Sequence, residues 1–268
     1  MSEPPEPSEP TRRYRRARFD DIADRYAEHR PSYPDALFDD VWALAGLGDA
    51  PELLEIGCGT GQATRSVLAR GARVLAIELG ERMAALAREA TRDQGERATI
   101  VSADFDRWTP PTRFDLVLAA TSFHWLDPTT RCPRVASALR EHGCLAILSH
   151  ESIADERDEF FVRSRAAYAE AFGEQLVALP TIDQLEPFAL DPTIFEAIVF
   201  RTYRWTRTYD TEAYLALLAT FSDHRELPES SRARLFSQIA AIVDEGLGGR
   251  FERHWAACLT LARVRGTA

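Results

Sequence analysis

The stretch that most constrains the fold is a short apolar run followed by glycine at every second position, Leu53-Leu54-Glu55-Ile56-Gly57-Cys58-Gly59-Thr60-Gly61-Gln62. The apolar part predicts a buried strand, and the Gly-x-Gly-x-Gly rhythm predicts a turn at the strand's carboxyl end. Glycine tolerates positive φ there and, because it lacks a Cβ, lets a ligand lie directly against the backbone. Such a turn opening into a helix is typical of ligand sites in open α/β sheets.

Three further apolar runs follow, and each leads to acidic, polar or aromatic residues. An acid at the carboxyl end of a strand can accept both hydroxyls of a ribose. The run 74–77 ends in Glu78, the run 99–101 leads to Asp104 and Phe105, and the run 114–118 leads to Ser122, Phe123, His124 and Trp125.

Helical patterns lie between these strands. Residues 62–70 are stopped by Gly71, the spacing of Met83, Leu86, Ala87 and Ala90 is helical, and Val135 with Leu139 predicts a helix that stops at Gly143. A fifth apolar run covers 144–148. Alternating strands and helices predict a doubly wound α/β sheet with right-handed crossovers.

Two helices are predicted before the first strand. The first begins at Phe19 and ends at Arg30, because a residue that precedes proline is pushed out of the helical region. The second begins at Pro34, with Leu37 and Val41 on its buried stripe.

In this order the motifs resemble those of class I S-adenosylmethionine-dependent methyltransferases, over about the first 150 residues. The glycine motif matches Glu55 to Gly61, the ribose acid matches Glu78, and the adenine-contacting acid matches Asp104. The segment 26–31 and the turn at Phe123 to Trp125 resemble the small-molecule branch of this class, methyltransferase type 11, which includes trans-aconitate methyltransferases.

The resemblance implies S-adenosyl-L-methionine as cofactor and a set of site residues. Helices before the first strand lie over cofactor and substrate in that family, although Tyr26 is equally explained as the packed face of a helix. The implied cofactor residues are Tyr26, Arg30, Glu55, Gly57, Cys58, Gly59, Gly61, Glu78, Leu79, Asp104, Phe105 and Thr121, and the implied substrate residues are Tyr33, His124 and Trp125.

The resemblance also implies a Rossmann-like seven-stranded sheet whose last strand is antiparallel, capped by the N-terminal helices and helical insertions. We expect residues 1–16 to form a disordered arm, because residues 1–10 are mainly proline, glutamate and serine and a short solvated arginine cluster follows them. A single domain is expected over 17–268, divided into lid helices (17–48), a cofactor-binding core (51–150), an insertion (151–193), and C-terminal strands with a helical cap (194–268). The run 250–264 fits the antiparallel strand.

The amino-acid composition and net charge limit the classes of substrate that we expect. The 268 residues carry a formal charge of −10, so the average surface repels a phosphate backbone and nucleic acid is not an expected substrate. Every basic residue is arginine, which with abundant alanine is typical of a GC-rich bacterial genome. With no apolar run that could span a bilayer and no signal peptide, we expect a cytoplasmic monomer or homodimer acting on a small-molecule methyl acceptor.

The four cysteines, Cys58, Cys132, Cys144 and Cys258, are scattered without metal-ligand spacing, so we expect structural thiols and no metal. Methyl transfer from a sulfonium is an in-line displacement in which the protein mainly aligns two centres. His124 is a candidate general base with a pKa near 6–7, and packing of His124 and Trp125 in the turn is the alternative.

Two other functions remain open at this point. The spacing of the glycines differs from the Gly-x-Gly-x-x-Gly of dinucleotide-binding oxidoreductases, which argues against another Rossmann-like nucleotide-binding enzyme. A non-catalytic module that binds S-adenosylmethionine without turnover would carry the same motifs, and an assay for methyl transfer separates the two.

Overall fold

The computed structural model describes residues 19–266. Seven strands form one sheet in the order β3-β2-β1-β4-β5-β7-β6, in which β1 to β5 are parallel and β7 runs antiparallel to both of its neighbours. The predicted doubly wound sheet with an antiparallel last strand is therefore confirmed. The strands are β1 (Glu52–Ile56), β2 (Arg73–Glu78), β3 (Ala98–Ser102), β4 (Phe114–Ala120), β5 (Leu139–Ser152), β6 (Phe195–Asp210) and β7 (Arg250–Val264).

Helices cover both faces of the sheet and its carboxyl edge. None of the helices within residues 19–266 is long and apolar enough to cross a membrane. They are α1 (Ala23–His29), α2 (Asp35–Ala45), α3 (Gln62–Ala69), α4 (Glu81–Ala90), α5 (Arg131–Ala138), α6 (Glu159–Phe172), α7 (Thr211–Leu218), α8 (Ser222–Glu226) and α9 (Glu229–Ala241).

The core has a layer on each side of the sheet because successive strand residues point to opposite faces. Leu53 packs on one side with Phe38 and Val67, from α2 and α3, whereas Leu54 packs on the other with residues that include Val135 of α5. Strands covered on both faces are apolar throughout, as in β1, where four of five residues are buried.

A third apolar cluster lies outside the sheet layers and forms the cap. It joins Phe160 of α6, Tyr214 and Leu217 of α7, and Phe251 and Trp255 of β7. Helices α7 to α9 lie between β6 and β7, so they interrupt the terminal hairpin as the sequence predicts. The cap stands at the end of the sheet where β5 and β7 pair between Ser152 and Trp255.

The chain adds β2 and β3 on one side of β1 and then β4 and β5 on the other, so the strand order reverses at β1. Open α/β sheets bind ligands at such a switch point. The residues after β1 and β4 meet at this point. Ser122 Oγ donates a hydrogen bond of 2.5 Å to the Ile56 carbonyl, and the Gly57 N–H donates to Ile77 O at 2.7 Å.

Three predicted boundaries are wrong. Helix α5 ends at Ala138 rather than at Gly143, and Leu139 instead begins β5 opposite Phe114, where a bulge in the β4–β5 pairing lets it remain buried in the sheet. Helix α2 starts at Asp35, with Pro34 as its N-cap. The pattern of residues 195–203 predicts a strand, but β6 extends to Asp210, because β7 pairs with it as far as that residue. The predicted arm, residues 1–16, lies outside the described residues.

Candidate active site

The glycine loop after β1 has backbone angles that favour glycine. Gly57, Gly59 and Gly61 have φ of +67°, +58° and +89°. A Cβ on Gly57 would lie 2.7 Å from Ser122 Cβ, whereas one on Gly59 would lie 3.7 Å from the Tyr26 ring. Gly57 therefore allows β1 and β4 to approach each other, and Gly59 opens a face of the loop toward α1.

Glu78, at the end of β2, fixes the loop. Its Oε2 accepts the Gly59 N–H and its Oε1 accepts the Gly80 N–H, each at 2.9 Å. A carboxylate oxygen has two lone-pair sites and is the kind of acceptor that a ligand's hydroxyl groups require. Its position at the switch point fits the predicted ribose acid.

Glu55 lies beneath the same loop with 1% of its surface exposed. Neither carboxylate oxygen has a hydrogen-bond partner among residues 19–266. Burial, together with the charge of Glu78, raises the pKa of Glu55 to about 7, and the nearby Thr64 hydroxyl, which does not reach hydrogen-bond geometry, opposes the rise only in part. A buried acid of this kind is suited to a cationic group of a bound molecule, and it borders a small cavity of about 30 Å³ with Gly57 and Gly59.

Thr121 ends β4 in a backbone conformation that is rare for a β-branched residue, with φ of +54°. Its N–H donates to Leu148 O at 2.7 Å, and its Oγ1 lies 2.5 Å from Tyr33 Oη. Such backbone strain persists where neighbours enforce it, and it concentrates at functional sites.

A cavity of about 960 Å³ extends from this loop into the cap. We call its two parts the sheet half and the cap half. The sheet half is lined by Phe19, Tyr26, Gly57, Gly59, Ile77, Glu78, Leu79, Met83, Ala103, Phe105, Thr121, His124 and Trp125, and the cap half is lined mainly by Phe160, Phe161, Tyr168, Phe172, Leu176, Val177, Leu179, Tyr214, Phe221, His224, Arg253 and Trp255.

The structure brings most predicted site residues to these cavities. Those on the large cavity are Tyr26, Arg30, Gly57, Gly59, Glu78, Leu79, Phe105, Thr121, His124 and Trp125, and those on the small cavity alone are Tyr33, Glu55 and Cys58.

Five predicted residues do not line the large cavity: Tyr33, Glu55 and Cys58 line only the small one, and Gly61 and Asp104 line neither. Gly61 is the N-cap of α3 and lines neither cavity, and Asp104 accepts the Asp106 N–H at 3.2 Å while its neighbours Ala103 and Phe105 form the wall. Tyr33 is buried and stacks on His150 with ring centroids 4.1 Å apart, so its surroundings favour packing over the predicted substrate contact.

Helix α1 closes the sheet half from above. Arg30 Nε donates to Thr220 Oγ1 at 2.9 Å and Nη2 donates to Thr220 O at 3.1 Å, which ties the end of α1 to the end of α7. Its guanidinium lies 4.2 Å from the Phe221 ring centroid and 5.2 Å from that of Tyr26. Tyr26 and Arg30 thus connect the two halves of the cavity.

His124 and Trp125 form part of the wall of the sheet half. Trp125 packs edge-on against Phe19 at 5.8 Å. Surrounding protein atoms and the Arg131 charge lower the pKa of His124 to about 4, although its side chain is exposed. The expected histidine step near pH 6–7 and the part of His124 in proton transfer stay predictions.

His150, Arg253 and His224 are among the polar cavity residues that the sequence analysis missed. His150 is a polar residue near the end of β5, and its position beside the switch point is a signal that could have identified it. Burial and the Arg30 charge lower the pKa of His150 to about 3. Arg253 interrupts an apolar strand and pairs with the buried Asp158. His224 has no sequence signal, because a lone histidine in a polar helix is usually exposed.

The cysteines are all free and buried. Burial and the negative charges of Glu55 and Glu78 raise the pKa of the Cys58 thiol well above its usual range. This supports a structural role rather than a reactive one.

A sheet of this order, with a glycine loop, an acid after β2 and a buried acid in β1 at its switch point, defines the fold and site of class I methyltransferases. A profile described as a methyltransferase domain matches residues 53–143, from β1 into β5. The matched profile and the named relatives support a class I S-adenosylmethionine-dependent methyltransferase.

Individual relatives are distant. An uncharacterized methyltransferase of Mycobacterium tuberculosis is 25% identical over 225 residues, which cover 84% of this chain and 85% of the relative. A trans-aconitate 2-methyltransferase of Azoarcus sp. is 29% identical over 197 residues, 67% of this chain and 76% of the relative. The structure of Haemonchus contortus phosphoethanolamine N-methyltransferase 2, in complex with phosphomonomethylethanolamine and S-adenosylhomocysteine, has a TM-score of 0.54 at 17% identity and covers 99% of this chain and 62% of that one.

Proposed function

We propose that the enzyme methylates a small molecule held in the cap half of the cavity, with S-adenosylmethionine in the sheet half. The observation that carries the proposal is the continuity of the 960 Å³ cavity from the glycine loop to the aromatic cap. Enclosed, largely apolar clefts with few polar groups are suited to small ligands. A cavity roofed by α1 and by the cap leaves little room for a polymer.

We assign donor-binding roles to the residues around the glycine loop. S-adenosylmethionine, when bound, supplies a methyl group already activated on a cationic sulfonium. Gly59 leaves the backbone open to the ligand, Glu78 accepts the ribose hydroxyls, and Glu55 compensates the positive amino-acid end. Phe105 and Leu79 provide apolar surface beside the acid. Asp104 remains our candidate for the adenine contact.

The lining of the cap half favours an acceptor that is mostly apolar. Aromatic side chains dominate this half. Two arginines that reach it are paired, Arg253 with the buried Asp158 and Arg165 with Glu156 in an exposed pair at 2.9 Å, and Arg30, bonded to the neutral Thr220, is the cation between the two halves. A tricarboxylate such as trans-aconitate, the substrate in the name of the Azoarcus relative, calls for several uncommitted cations. We therefore propose an acceptor with at most one negative group.

We further propose that the enzyme acts in the bacterial cytoplasm as a monomer or homodimer, on a free metabolite rather than on nucleic acid. The formal charge of −10 supports the exclusion of nucleic acid. Robust methylation of bulk RNA or DNA would contradict it.

The decisive experiment incubates the purified enzyme with S-adenosylmethionine and fractionated bacterial metabolite extracts, and follows the gain of one methyl mass by mass spectrometry. Glu78→Ala is the matched variant, which we expect to bind the donor about 1–3 kcal/mol more weakly through lost hydrogen bonds. Donor binding without transfer to any acceptor would instead indicate a non-catalytic binding module. Absence of donor binding in the wild type would refute the assignment of the sheet half.

A further inference from the structure

His224 is a buried histidine in the cap half whose two ring nitrogens have different surroundings. The residue is 4% exposed. Its Nδ1 lies 2.8 Å from Asp223 Oδ1, which also accepts the His224 backbone N–H at 2.7 Å. Nε2 is buried and has no hydrogen-bond partner in the described part of the chain, yet the side chain lines the large cavity.

Asp223 determines which nitrogen is free to accept. The Asp223 side chain is largely exposed, and its Oδ1 accepts a hydrogen bond from His224 Nδ1. In the tautomer whose proton lies on Nδ1, the lone pair of the neutral imidazole is on Nε2. A buried acceptor without a partner is costly, so a ligand that donates to it gains affinity.

Aromatic rings surround this imidazole on several sides. Tyr168, Phe172 and Phe221 lie with ring centroids 5.7, 5.4 and 5.6 Å from His224, and the first two meet it edge to face. Phe221 in turn lies 6.4 Å from Trp255. Flat rings in this arrangement favour a flat partner, because aromatic pairs gain from offset and edge contacts beyond the area they bury.

We propose that His224 Nε2 accepts a hydrogen bond from the hydroxyl group of an aromatic acceptor, and that hydroxylated aromatic compounds are the substrate class of this enzyme. The inference rests on the proposed function, because it places the acceptor in the cap half. An ionised carboxylate has no proton to donate to Nε2 and would also face the Asp223 anion. The hydroxyl group is therefore the donor that this end of the cavity selects.

The test compares two probes with one ring system, 2-naphthol and 2-naphthoate, by calorimetry with saturating S-adenosylhomocysteine in the sheet half. In His224→Phe, which keeps a ring among the aromatic neighbours, we expect 2-naphthol to bind about three- to tenfold more weakly, the value of one neutral hydrogen bond. Binding of 2-naphthoate should change less than twofold. Asp223→Asn should weaken 2-naphthol binding in the same direction.

His29→Phe is the matched control, because it removes an imidazole that lines neither cavity and should leave the ratio of the two affinities unchanged. Equal losses for both probes, or no loss for 2-naphthol in His224→Phe, would overturn the inference. A more stable His224→Phe with unaltered binding of both probes would show that the imidazole only fills the cap. Wild-type protein that fails to bind S-adenosylhomocysteine would refute the proposed function itself, which separates the two failures.

Discussion

Glu55 is the residue at which stability and donor binding oppose each other. An acid buried without a hydrogen-bond partner in the described structure destabilises the free protein when it ionises, yet ionisation is what a cationic ligand needs. Its pKa is raised from an ordinary value of 4.5 to about 7. Between these two pH values the folded state holds a proton that the unfolded state has lost, so stability falls as pH rises through this window.

We expect Glu55→Gln to gain stability relative to the wild type as pH rises. From pH 5 to pH 8 the difference in free energy of unfolding should grow by roughly 2–4 kcal/mol, because only the wild type must ionise a buried acid. Urea unfolding at both pH values measures it. Glu52→Gln, at the exposed start of the same strand, should show no such trend.

Donor affinity should move in the opposite direction. Calorimetry should show Glu55→Gln binding S-adenosylmethionine more weakly at pH 7.5, whereas the wild type binds more tightly at pH 7.5 than at pH 5.5. A variant that is more stable and also binds the donor as well as the wild type would contradict the assigned role of Glu55.

Gly57 and Gly59 allow a second residue-level test, because their alanine variants meet different surroundings. Gly57→Ala places a Cβ 2.7 Å from Ser122, so it should lower the free energy of unfolding by at least 2 kcal/mol, about the cost of overpacking plus positive φ. In Gly59→Ala the added Cβ would lie 3.7 Å from the Tyr26 ring, an ordinary contact, so the free energy of unfolding should fall by only about 1 kcal/mol.

For binding of S-adenosylmethionine to the folded protein, we expect the opposite order, with the larger loss in Gly59→Ala. Gly59→Ala fills the open face of the loop, so calorimetry should show at least a tenfold loss of S-adenosylmethionine affinity, although this variant loses less stability than Gly57→Ala. Wild-type affinity in Gly59→Ala would exclude a close approach of the donor to this residue.

At the level of elements, local sequence specifies helix α1 but not its docking. The apolar spacing and the stop at Pro31 predicted a helical segment from Phe19 to Arg30, which in the structure is a 3-10 turn (Asp20–Ile22) followed by α1 (Ala23–His29). Its attachment to Thr220 joins residues 190 positions apart, and no local pattern encodes such a contact. The same reason explains why the glycine loop and Glu78 could be predicted from spacing, whereas His224 and Asp223, which reach the cavity only through packing of the cap, could not.

We expect Arg30→Met to loosen α1 without unfolding the sheet. The variant loses both hydrogen bonds to Thr220 and the contacts of the guanidinium with Phe221 and Tyr26, so amide hydrogen exchange over residues 20–30 should accelerate about tenfold or more. Thr220→Val is the matched control, because it removes the hydroxyl and keeps the backbone acceptor and ring contacts. It should accelerate exchange less; equal acceleration in both variants would mean that the hydroxyl alone holds the helix.

At the scale of the whole molecule, the Arg253–Asp158 pair joins the cap to the sheet. Asp158 is 0% and Arg253 4% exposed, and Asp158 also accepts the N–H groups of Phe161 at 2.8 Å and His254 at 2.9 Å. The pair thus connects the first turn of α6 to β7. It also neutralises an arginine that lines the cavity, which is why the cap half has less positive charge than its arginines suggest.

Because both charges are buried, removing one should cost far more than removing both. We expect Arg253→Met or Asp158→Asn alone to lower the free energy of unfolding by about 3–5 kcal/mol, and the double variant to recover a large part of the summed loss. Asn at 158 keeps a side-chain acceptor for the N-terminus of α6. The comparison of single and double variants therefore measures the interaction between the two charges rather than the loss of the helix N-cap. Urea unfolding followed by circular dichroism measures all four proteins. Strictly additive losses would show that the two side chains contribute independently, and a separate early transition in the single variants would show that the cap unfolds without the sheet.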